Sequence, residues 1–75
     1  MEASGESGTI VVRVNEREER VAPGTSVAGL VERLGLSRTA CAVEVNRELV
    51  PKRSHAERVL AEGDRVEIVT LVGGG

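Results

Sequence analysis

The stretch "RVEIVTLV" at residues 65–72 decides the fold. Side chains alternate along a strand, so Val66, Ile68 and Thr70 share one face while Val69 and Leu71 share the other. A strand that is apolar on both faces belongs in the middle of a sheet rather than at a half-wet edge. Just upstream, "AEGD" at residues 61–64 reads as the turn that delivers the chain into it. The rest of the chain must then supply strands on either side and a cover for at least one face.

Working outward, "TIVVRV" at residues 9–14 also alternates, with Ile10, Val12 and Val14 on one side and Val11 and Arg13 on the other. "NE" follows as a tight turn, and "REERV" at 17–21 is so polar that it suits only a sheet edge. Asn15 fits the left-handed conformation of such a turn, whereas Glu16 stands where glycine would cost less. "TSVAGLVERLGL" at 25–36 is the one helix: Thr25 is expected as its N-cap. Val27, Leu30, Val31 and Leu34 form its apolar stripe, Gly29 lies on the less apolar side and weakens the helix somewhat, and Gly35 is placed to end it in a left-handed cap. "CAVEV" at 41–45 alternates again, "NR" repeats the Asn-first turn, and "ELV" returns until Pro51 stops it. In "KRSHAER" at 52–58, Ser54 and Glu57 have capping-box spacing, which predicts one helical turn in an exposed crossing segment.

The order is β-β-α-β-β-turn-β. One helix covers one face of one sheet, and a right-handed crossover through it puts the third strand on the far side of the central one. The result is an α+β fold, the ubiquitin-like β-grasp: a mixed sheet of about five strands with one helix across one face. Residues 1–8 read as a disordered leader, 9–72 as the β-grasp domain and 73–75 as a flexible C-terminal glycine tail.

Composition narrows the function. The chain has 75 residues, 40% hydrophobic and 29% charged, with no aromatic residue and a net charge of −2, which fits a small globular domain with an aliphatic core. A mixed, slightly acidic surface without aromatic rings speaks against nucleic-acid binding. One cysteine and one histidine offer neither a disulfide nor a soft metal site. "MEASGESG" has no signal-peptide pattern and no apolar run is long enough to cross a bilayer, so the expected compartment is the cytoplasm, with no membrane contact and a monomer as the free form.

The closing "LVGGG" at 71–75 is the chemical feature. Three extended residues project about 10 Å, and without side chains they can thread a narrow channel and present a carboxylate to a nucleophile. A carboxylate is inert until activated, and an acyl-adenylate is the usual means. Together, "AVEVNRELVP" and "SHAERVLAEGDRVEIVTLVGGG" resemble the ThiS family of sulfur carriers in thiamine thiazole biosynthesis, the similarity running over roughly residues 9–75. The resemblance implies that an E1-like adenylating enzyme uses Mg-ATP to activate the Gly75 carboxylate. Sulfur from a donor such as a cysteine desulfurase would make it a thiocarboxylate, and thiazole synthase would take that sulfur. On this view the chain is a carrier with no bound cofactor, not an enzyme. Gly74 and Gly75 match the family's terminal pair, Gly73 is one more spacer, and Glu16 and Arg47 replace the glycine usual in its hairpin turns.

A molybdopterin-synthase sulfur carrier or a ubiquitin-like protein modifier is the alternative, though the former tends to carry aromatic and proline residues ahead of its glycines. Besides the tail, Val11, Val69 and Leu71 are expected together on the open face as a partner-binding patch near the tail's root. Cys41 reads as a packed core residue, His55 as a solvated surface residue, and Lys52, Arg53 and Arg58 as a wet face.

Overall fold

A computed structural model describes residues 8–71. Strands β1 (Ile10–Val14), β2 (Arg17–Val21), β3 (Cys41–Val45), β4 (Glu48–Val50) and β5 (Arg65–Thr70) form one sheet in the order β2-β1-β5-β3-β4, with helix α1 (Val27–Arg33) between β2 and β3. β5 is central, parallel to β1 and antiparallel to β3, and the polar β2 lies at an edge. The alternation resolves as the sequence predicts: Val12, Val14, Val21, Val43, Val45, Val50, Val66 and Ile68 are buried with Val27, Leu30 and Val31 of the helix. The leader falls largely, and the glycine tail wholly, outside the described residues.

The helix is closed at both ends, one residue away from the expected start. Ser26, not Thr25, is the N-cap: it is extended, and its hydroxyl accepts the Gly29 N–H at 3.1 Å. The Thr25 hydroxyl instead donates to the Ala22 carbonyl. The first two helical N–H groups, which have no partner inside a helix, donate to the crossing segment: Val27 to the Arg58 carbonyl and Ala28 to that of His55. At the other end Gly35 takes φ +78°, Leu36 N–H reaches the Val31 carbonyl and Gly35 N–H that of Glu32, the paired bonds of a Schellman cap.

That docking of the crossing segment also corrects the reading of His55. Its side chain is buried, 6% exposed, and Nε2 lies 3.0 Å from the Val50 carbonyl, tying the segment to the end of β4. The helical turn expected there is a 3-10 turn at Lys52–Ser54, with no capping bond from the Ser54 side chain among the described residues. Both hairpin turns are two-residue loops with left-handed backbones at both positions: Asn15 (φ 50°) and Glu16 (73°), Asn46 (51°) and Arg47 (73°). These are type I′ turns made without glycine.

Candidate functional site

The open face of the sheet, away from α1, carries the odd-numbered side chains of β5. Val69 and Leu71 are 59% and 53% exposed there. Val69 lies directly across from Ala42 and Glu67 across from Glu44, which in turn faces Leu49 of β4. Leu49, 65% exposed, shares this face but stands level with Glu44 and Glu67 in its middle, so Leu71, Val69 and Ala42 are the apolar positions where β5 leaves the sheet. Leu71 is fastened at that exit by its N–H, which donates to the Ala40 carbonyl at 2.8 Å. Ala42 and Leu49 were missed in the sequence; the signal available was their strand parity, which required the β3–β5 and β3–β4 registers to interpret.

Val11 does not join them. It is on the same face but half-buried, and its carbonyl accepts from Gly63 N–H while its own N–H donates to Glu62 Oε1. It therefore sits beside the start of β5, six residues before Val69, which is about 20 Å at the rise of a strand. Between the two ends the open face is charged, with Glu44 and Glu67 in the middle and Arg13 opposite Arg65 nearer the hairpin turns. Gly73, Gly74 and Gly75 lie outside the described residues.

The remaining polar candidates are dispersed or packed. Cys41 is half-buried against the core and opposite Thr70, on the helix side of the sheet. It lines a recess of about 190 Å³ with Ala28, Val31, Leu36 and the buried His55. Lys52 and Arg53 are exposed and Arg58 half-buried. Among the described residues no three His, Cys, Asp or Glu side chains come together to hold a metal, and no helix is long and apolar enough to cross a membrane.

A five-stranded mixed sheet with one helix across one face is the ubiquitin-like β-grasp, a class of fold whose role is read from the particular site and sequence. Residues 5–75 match the model of the ThiS family, and the chain belongs to that family. The crystal structure of the thiamine biosynthesis protein ThiS from Geobacter metallireducens superposes with a TM-score of 0.75, at 26% identity over 88% of this chain and all of that one. The sulfur carrier protein ThiS of Escherichia coli is 26% identical over 61 residues, 81% of this chain and 92% of that protein. A thiazole synthase from Paramagnetospirillum magneticum is 39% identical over 62 residues, 83% of this chain but 19% of its own, so this chain spans about a fifth of that relative. The family is one of sulfur carriers in thiamine biosynthesis, and the matches do not favour the molybdopterin-carrier or modifier alternatives.

Proposed function

We propose that this domain carries sulfur as a C-terminal thiocarboxylate on Gly75 for thiazole formation. An E1-like enzyme with Mg-ATP transfers AMP to the Gly75 carboxylate, releasing pyrophosphate. The terminal sulfur of a cysteine desulfurase's persulfide then displaces AMP to give an acyl disulfide, a thiol reductant cleaves its S–S bond to leave the thiocarboxylate, and thiazole synthase accepts the sulfur in the cytoplasm. The observation that carries this reading is the exit of β5: the central, best-anchored strand ends at an exposed apolar run, immediately before Val72–Gly75. Glycines offer only backbone hydrogen bonds, and ordering them costs roughly 1–2 kcal/mol per residue, so contacts elsewhere must offset that loss. On this reading Val69, Leu71 and Ala42 supply those contacts. The thiazole synthase relative, in which a stretch similar to this domain lies within a chain about five times as long, supports the synthase as a partner.

The test is intact-protein mass spectrometry after incubation with the adenylating enzyme, Mg-ATP, a cysteine-fed desulfurase and a thiol reductant. One oxygen at Gly75 is exchanged for sulfur, and the product forms equally in Cys41→Ala, because Cys41 packs against the core. Deleting Gly74 and Gly75 abolishes ATP–pyrophosphate exchange while stability changes by less than about 0.5 kcal/mol. Full exchange by the truncated protein would refute the proposal.

A further inference from the structure

The edge of β5 that faces β1 loses its neighbour early. β1 pairs only with Arg65 and Val66, through Arg13 and Val14, and the chain then turns away into the hairpin. Backbone bonds along this edge include Gly63 N–H to the Val11 carbonyl at 2.8 Å, then Arg13 N–H to the Asp64 carbonyl and Asn15 N–H to that of Val66, both 2.9 Å. The next rung is made by a side chain. The Asn15 carboxamide donates from Nδ2 to the Ile68 carbonyl at 3.0 Å and accepts the Ile68 N–H on Oδ1 at 2.8 Å. An amide group thus stands in for the strand residue that the turn has removed. Among the described residues it is the last group from the β1–β2 hairpin to hold this edge of β5.

Asn46, at the same place in the other hairpin, works at the opposite end of the strand. Its Oδ1 accepts the Arg65 N–H at 3.0 Å, and its Nδ2 donates to Asp64. The two asparagines have nearly identical backbone angles and both bridge a turn to β5. Only Asn15 holds the residue next to Val69, where the apolar run and the exit begin.

Resting on the carrier reading above, we infer that Asn15 is a positioning residue: its carboxamide fixes the direction in which β5 delivers Val69, Leu71 and the tail to a partner. The variant that tests this is Asn15→Gly, which tolerates the left-handed backbone and removes only the carboxamide. Asn46→Gly is the matched control, with an equivalent loss far from the exit. Exchange of the Ile68 amide proton, followed by NMR without any partner, accelerates about tenfold in Asn15→Gly and stays unchanged in Asn46→Gly. In steady-state adenylation by the E1-like enzyme, kcat for Asn15→Gly falls about tenfold with KM within about twofold, because docking survives and the tail is misaimed. Asn46→Gly keeps the wild-type kcat despite a similar drop in melting temperature. The inference is overturned if Ile68 exchange does not change in Asn15→Gly, or if both variants lower kcat alike. A wild-type protein inert to the adenylating enzyme would instead overturn the carrier reading, and the exchange experiment would still judge whether Asn15 holds the exit.

Discussion

Val69→Arg separates docking from folding. Val69 is 59% exposed and faces away from the helix, so the substitution puts the guanidinium in water and leaves the buried row Val66, Ile68 intact. Its cross-strand neighbour is the small Ala42, which leaves room for a longer side chain. Fully burying a valine is worth about 1.5–3 kcal/mol, and the exposed share of this one therefore offers about 1–2 kcal/mol to a partner that covers it. Desolvating an unmatched arginine in the same contact adds a further cost of similar size. Together these weaken association by about 2–3 kcal/mol, roughly 30- to 150-fold in Kd. Titration calorimetry against the adenylating enzyme and against thiazole synthase measures this, with a thermal melt alongside that moves by no more than a few degrees. Val11→Arg is the internal comparison: Val11 lies at the far end of the face, so affinity for both partners stays within about twofold. Unchanged affinity in Val69→Arg would place the docking surface elsewhere. Equal losses in the two variants would show that a partner grips the whole face, and that the patch at the exit is not the anchor.

Three further outcomes test the local structure. Arg47→Gly and Glu16→Gly each relieve a left-handed non-glycine residue and, after the entropy lost to glycine, stabilise by about 0.5–1 kcal/mol, seen as a rise in melting temperature. Ser26→Ala removes the hydroxyl that accepts Gly29 N–H and costs about 1 kcal/mol in urea unfolding, whereas Thr25→Ala costs less than half of that; the reverse order would return the cap to Thr25. His55→Ala empties a buried site and removes the ring nitrogen 3.0 Å from the Val50 carbonyl, lowering stability by about 2–3 kcal/mol, where a solvated histidine would cost almost nothing.

Periodicity carried the fold because the β-grasp separates its two faces so cleanly. Each strand shows which residues point inward, and the one helix shows its stripe, so topology and core follow from alternation, length and crossover handedness. What alternation does not contain is stagger. Val11 shares a face with Val69, but β1 runs parallel to β5 and begins beside Gly63, so shared parity does not bring the two together. Leu49 and Ala42 were hidden for the same reason, since their position depends on two antiparallel registers. The N-cap fell one residue off because Thr25 and Ser26 are both good caps, and the choice is made by the crossing segment, whose carbonyls meet Val27 and Ala28. His55 looked wet because its neighbours are charged; the turn after Pro51 brings it back onto a carbonyl five residues upstream. The asparagines were legible as turn formers, but a bond from Asn15 to a residue 53 positions away leaves no local trace.

The placement of exposed apolar area argues that the open face is used. Among the described residues four large hydrophobic side chains are more than half exposed: Val69 and Leu71 stand at the strand's exit, Leu49 shares their face beside Glu44, and Val59 lies elsewhere. Scattered surface hydrophobics need no explanation, but a cluster beside a strand end is unfavourable for a small free domain and is kept where a partner covers it. The core does not require it, since the buried set lies wholly on the helix side and would pack the same with polar residues at 49, 69 and 71. Strand β5 therefore has two separable tasks on its two faces. Val66 and Ile68 fix it in the domain, and under the proposed function Val69 and Leu71 are the side chains that a partner covers.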